Sequence, residues 1–258
     1  SSSMKYSEQK LFESEKGQGS SKSKRSQKDR AVRAILKTRM QQKTVSRLSR
    51  KTRGILTVLG GFIWQMYLGS QFMVGNLAPY IQSYFAEANQ FSTQMIMPIM
   101  FSLSMVSNYY GSHSIKARRM HPKIHILVSG LFSMGGCLLA SLTTNFTLFV
   151  LFYAVTLGIT VGFSYITAVY VAWQYFPGRE GMVSGIIIAG FGLGSSLFTY
   201  LSVFLVNPGS VSANTEPGEK PFPMEIAQNL PKMLQSFSLI NITILTLVMV
   251  LLQDFPNQ

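Results

Sequence analysis

Apolar residues fall into six runs of helix-spanning length, one after another, behind a polar and basic first fifth of the chain. The runs cover residues 54–80, 93–112, 124–142, 146–175, 182–206 and 233–252. Each approaches the roughly 20 residues that cross a hydrocarbon layer about 30 Å thick. Lipid offers no hydrogen bonds, so every backbone amide there must be satisfied within its own segment, and the state is helix. The pattern therefore predicts an all-α membrane protein with six transmembrane helices.

Composition agrees with the pattern. Of 258 residues only 13% are charged, against roughly 25% in ordinary soluble chains. From Ile124 to Gly178 there is no Lys, Arg, Asp or Glu. Sixteen of the 23 Lys and Arg precede Gly54, so the net charge of +13 belongs mainly to residues 1–53. Residues 1–29 hold too little apolar surface to offset the entropy of ordering. From Arg30 onward Ala31, Ile35, Met40, Val45 and Leu48 interleave with basic residues. That stretch reads as a short amphipathic helix against a membrane or a partner, or as a basic arm held by anionic lipid. The chain opens Ser-Ser-Ser-Met, which is the expected look of a processed start or of numbering inside a longer precursor. The single cysteine, Cys137, lies in an apolar run and reads as a small buried side chain.

The expected organisation is a basic extension over 1–53, a transmembrane domain over 54–254 and a short tail over 255–258. With the N-terminus inside, the inner segments hold 21 Lys and Arg and the outer loops hold Lys220 and Lys232. This bias places both termini on the inner side. Segment 207–232 contains Pro208, Pro217, Pro221, Pro223 and Pro231 and is expected outside as an irregular cap, with one short helix over 224–229.

The run Gly61-Phe-Ile-Trp-Gln-Met-Tyr-Leu-Gly-Ser-Gln-Phe-Met-Val-Gly-Asn-Leu-Ala-Pro-Tyr80 resembles the first helix of the major facilitator superfamily. It looks closest to the oxalate/formate-type and monocarboxylate-type carriers. Tyr175-Phe-Pro-Gly-Arg-Glu-Gly-Met-Val-Ser-Gly185 is similar to that branch's loop between spans four and five. Ala189-Gly-Phe-Gly-Leu-Gly-Ser195 and Asn207-Pro208 also fit. The resemblance covers about residues 54–254 and implies the N-terminal six-helix half of that fold. In the family, substrate sits between two such halves, which rock to give alternating access. The loop between spans two and three reads Gly111-Ser-His-Ser-Ile-Lys-Ala-Arg-Arg-Met-His-Pro-Lys123. Gly111, Arg118, Arg119 and Lys123 look like a remnant of the family's gating loop, but its acidic residue is absent. Val74 stands where an aromatic is common.

On span one, Gln65, Gly69, Phe72 and Asn76 share a helix face at about 100° per residue. On span four, Tyr165, Thr167, Tyr170, Trp173 and Gln174 offer polar and aromatic groups. Gln65, Asn76, Tyr165, Tyr170 and Gln174 are the candidates for a substrate cavity. Hydrogen bonding between helices and anchoring at the interface would use the same residues. Gly158 with Gly162, Gly181 with Gly185, and Gly190 with Gly194 are four apart, as close helix packing requires. The glycines at 190, 192 and 194 have no preceding strand and do not read as a phosphate loop. His113, His121 and His125 are expected at headgroup level without a metal. No cofactor, metal, nucleic-acid partner or enzymatic activity is expected.

The leading expectation is a transporter-derived accessory subunit of a larger membrane assembly, in contact with lipid and other membrane subunits. A mitochondrial inner membrane and a respiratory complex would suit a basic inner arm. An uncharged set of spans, an altered gating loop and a lone six-helix half favour that reading. The competing expectation is an active carrier of small organic anions that works with a second six-helix half.

Overall fold

The apolar runs become helices whose breaks fall where side chains or backbone demand them. A computed structural model describes residues 49–254 except Thr215, Pro217 and Gly218. The basic extension before Ser49, its amphipathic stretch and the 255–258 tail lie outside the described residues. Among the described residues the regular structure is entirely helical.

Rod one runs as α1 (Arg50–Gly69), a 3₁₀ turn (Ser70–Phe72) and α2 (Met73–Tyr84). Pro79 sits inside α2, and Ser83 Oγ donates to Pro79 O at 2.9 Å. A short helix α3 (Gln90–Gln94) then leads into rod two. Its Asn89 cap and Ser92 exchange side-chain and backbone bonds, which satisfies the first-turn donors. Rod two is α4 (Ile96–Lys116) and rod three is α5 (Pro122–Ser141), which has proline at its first turn. Rod four is interrupted: α6 (Phe146–Val150), a π-helical turn (Leu151–Val155), α7 (Thr156–Ser164) and α8 (Thr167–Trp173). Rod five is α9 (Glu180–Val206); rod six is α10 (Met224–Ala227) and α11 (Asn229–Leu251).

Four of the rods are long and apolar enough to cross a membrane: 122–141, 146–173, 180–206 and 224–251. Rods one and two are helices at the expected places, yet they do not reach that standard. The first opens on Arg50, Lys51 and Arg53, and the second carries Ser, Asn, Tyr, Gly and His through its second half. The sixth rod begins earlier than its hydrophobic run, with α10 at Met224; Pro231 falls in the first turn of α11, where a missing N–H costs nothing.

The rods pack in three seams. α1 lies along α9, α4 along α7, and α5 along α11, which also touches α1. In the first seam a Cβ added at Gly194 would stand 1.9 Å from Met66 O, and at Gly190 2.4 Å from Phe62 O. In the second, Gly162 and Gly111 bring backbones together in the same way, at 2.0 Å from Ser104 O and Phe163 O. The third seam uses side chains: Asn241 Nδ2 donates to Gly130 O at 3.0 Å, and Leu245 lies over Gly130. Gly181 and Gly185 meet nothing within 4 Å, so that pair draws no neighbour close.

The segment after α9 straps back onto rod one. Asn207 Nδ2 donates to Tyr80 Oη at 3.2 Å and to Val211 O at 2.8 Å. Phe222 stacks on Tyr80 with centroids 4.2 Å apart, and its N–H donates to Ser83 Oγ at 2.9 Å. Lys220 Nζ donates to Gln82 O (2.7 Å), Phe85 O (3.1 Å) and Ala88 O (3.2 Å). A cation thus answers the unsatisfied carbonyls and negative pole at the end of α2.

Candidate substrate cavity

Rods one, two, four and five border an open groove, a cavity of about 370 Å³. Its polar wall is Gln71, Ser104, Asn108 and Tyr165; Phe101, Met105, Val161 and Phe191 supply apolar surface. The local helix chemistry explains each position. The 3₁₀ turn rewinds rod one at residues 70–72 and carries Gln71 to the cavity, where the side chain is buried and its Oε1 has no partner among the described residues. Ser104 Oγ donates back to Met100 O (2.8 Å) and across to Gly158 O (2.9 Å), pinning rod two to rod four. Phe72 and Tyr165 each meet Phe191 edge-on, at 5.6 and 5.7 Å. None of the lining residues is charged.

The candidates from the sequence distribute unevenly around this space. Tyr165 lines it. Gln65 is fully buried behind the wall and donates Nε2 to Tyr165 O at 2.8 Å, so it holds rod one to the break between α7 and α8. Gly69 packs on α9 instead, where an added Cβ would stand 2.2 Å from Phe191 O. Asn76 is exposed and lies outside the lining. Tyr170 and Gln174 sit at the far end of rod four. Tyr170 meets Trp173 at 6.3 Å, and Gln174 O accepts from Arg50 Nη2 at 3.2 Å. Gln71, Ser104 and Asn108 were missed. Ser104 and Asn108 stand four apart on one face of the second run, a legible signal; Gln71 required the 3₁₀ turn.

The loop remnant also resolves into separate roles. Gly111 is inside α4 and serves the contact with Phe163. Arg118 closes the helix in a left-handed conformation (φ 50°), and Arg118 and Arg119 are exposed. Lys123 Nζ lies 3.6 Å and His121 Nε2 3.3 Å from Asp254 Oδ1. Tyr175 Oη donates to Asp254 O, and Gln253 N donates to Thr57 Oγ1 at 3.2 Å. These bonds tie the end of rod six to rods one and three and to the 174–179 turn. His125 departs from the expected headgroup position. It is fully buried, its ring lies 4.0 Å from that of Phe163, and Nδ1 meets Thr167 Oγ1 at 2.8 Å. It lies one helical turn inside His121, on the packed face of α5. No group of three His, Cys, Asp or Glu able to hold a metal occurs among the described residues.

The concavity is uncharged, amphipathic and open along one side of a bundle that holds four membrane-length helices. Comparison with known proteins points to carriers. The chain is 25% identical over 211 residues to apicoplast pyruvate carrier 1 of Toxoplasma gondii, covering 67% of this chain and 39% of that carrier. It is 30% identical over 80 residues to monocarboxylate transporter 9 of Rattus norvegicus and of Mus musculus, covering 31% of this chain and 16% of each transporter. The chain thus spans less than half the length of the curated relatives it matches. No protein-family model matches. The chain is a carrier-like, transporter-related integral membrane protein, and these relatives are carriers rather than enzymes.

Proposed function

We propose that the chain forms the cavity-bearing half of a carrier for small monocarboxylates. In this reading it is a six-helix half in the major facilitator arrangement, with 54–254 as its transmembrane domain, both ends of that domain on the inner side and segment 207–232 outside. The observation that carries the reading is the concavity of about 370 Å³ between rods one, two, four and five, with Gln71, Ser104, Asn108 and Tyr165 on its wall. Amides and hydroxyls at that depth suit the polar end of a short carboxylate, and the phenylalanines suit its carbon end. A carboxylate in low dielectric needs a cationic partner. The cavity wall supplies none, so a second helical unit facing it, in the same polypeptide or another, provides the charge. The relatives' names, a pyruvate carrier and a monocarboxylate transporter, support this substrate class.

The same absence of charge favours a second reading, a transporter-derived accessory subunit of a larger membrane assembly such as a respiratory complex of the mitochondrial inner membrane. One experiment separates the two. The tagged protein is purified from its native membrane with its co-purifying partners and reconstituted into vesicles. Saturable uptake of labelled pyruvate or lactate, reduced at least tenfold by Gln71→Leu with Tyr165→Phe, supports the carrier. Stable co-migration with other subunits, no uptake, and release from them on deleting residues 1–53 supports the accessory role.

A further inference from the structure

We propose that one end of the bundle is a binding surface for anionic phospholipid headgroups. The hydrogen bonds and ion pairs described above bring together the start of α1, the α4–α5 turn, the 174–179 turn and the end of rod six. That end carries Arg50, Lys51, Arg53, Lys116, Arg118, Arg119, Lys123 and Arg179, eight cations. Its only described acids are Glu180 and Asp254. Both are engaged: Glu180 Oε1 accepts from Gly178 N at 2.8 Å, and Asp254 is held by His121 and Lys123. The opposite end carries Lys220 and Lys232 against Glu87, Glu216, Glu219 and Glu225, and Lys220 is spent on the carbonyls beyond α2. Eight minus two against two minus four leaves a difference of eight charges between the ends.

Two of the cations also lie next to exposed alkyl surface on the same helix face. Along the outside of α1, Lys51 is followed at four-residue steps by Ile55 and Leu59, all exposed. On α9, exposed Arg179 is followed by exposed Met182 and Ile186. Both stripes present alkyl surface to acyl chains and then, one turn further out, a cation to the phosphate layer. A nucleic acid or an acidic protein would have no use for the apolar part of that stripe. A free phosphate would have no use for it either.

The test uses the full chain purified in detergent and exposed to equal amounts of phosphatidylglycerol and phosphatidylcholine, with bound lipid counted by native mass spectrometry. Phosphatidylglycerol is expected to be retained in at least tenfold excess. Each cation near such a surface contributes about a fivefold factor. The exposed triple variant Lys51→Gln, Lys116→Gln, Arg179→Gln should therefore lose most of the preference, whereas Lys232→Gln at the other end should keep it. Residues 1–48 are unchanged in every arm, so they cannot produce the difference. Raising salt from 50 mM to 500 mM should weaken the preference in the unmodified protein. Four results would overturn the proposal: equal retention of the two lipids, a preference untouched by the triple variant, displacement of the lipid by millimolar inorganic phosphate, or a DNA oligonucleotide that outcompetes it.

Discussion

The seams between rods one and five and between rods three and six solve one problem by different means. Between lipid-facing helices there is no hydrophobic force to bring them together, so contact must come from close packing and interhelical hydrogen bonds. The α1–α9 seam is backbone on backbone: Gly194 and Gly190 admit carbonyls of Met66 and Phe62 where any Cβ would collide. The α5–α11 seam is side chain on backbone. Leu245 covers Gly130, and Asn241 reaches its carbonyl. A carbonyl in a helix cannot retreat, while a leucine can change rotamer. The first seam should therefore be intolerant of a methyl group and the second forgiving. Rods one and five both border the cavity, so the rigid seam is also the one that fixes its wall.

The largest expected effect is at the rigid seam. Gly194→Ala should destabilise the protein by about 3 kcal/mol, the upper range for overpacking, seen as loss of the folded fraction in denaturant titration in detergent. Gly162→Ala in the α4–α7 seam should cost about 2 kcal/mol by the same assay, because Ser104 O blocks the added carbon. If either variant unfolds like the parent, the backbone-on-backbone account of these seams is wrong. Gly130→Ala should cost no more than about 1 kcal/mol, since only Leu245 side-chain atoms stand in the way. A penalty equal to that of Gly194→Ala would erase the contrast between the seams. Asn241→Leu should cost about 0.6 kcal/mol, the usual value of an interhelical hydrogen bond in a membrane protein. Gly185→Ala, with nothing within 4 Å, should leave stability unchanged or raise it by about 0.5 kcal/mol through helix propensity. A marked loss there would reveal a neighbour packed on that face in the membrane.

Much of the fold is legible in the chain. The six apolar runs mark six helical rods, and their ends fall within a few residues except at the start of the sixth, where α10 and the first turn of α11 precede the hydrophobic run. The glycines at 158, 162, 190 and 194 read as packing positions because spacing of four puts them on one face, and the structure presses each against a neighbouring helix. The cavity was less legible. A straight helix of 100° per residue put Gln65, Phe72 and Asn76 on a common face, but the 3₁₀ turn at 70–72 breaks that register and delivers Gln71 instead. Likewise the breaks in rod four at 151–155 and 165–166 carry Tyr165 to the cavity and leave Tyr170 and Gln174 near the cationic end.

The division has a physical cause. Sequence alone determined that the chain carries runs long and apolar enough to cross hydrocarbon, because the transfer of backbone and charge out of water is a local matter, residue by residue. It also set the uneven distribution of Lys and Arg. Only the tertiary structure decided which glycines meet a carbonyl and which face open space, that His125 is enclosed, that Lys220 caps the end of rod one, and that Gln71 reaches the cavity. Those outcomes depend on the rotation of one helix against another, and a few degrees of local rewinding changes them while leaving the hydrophobic pattern as it was.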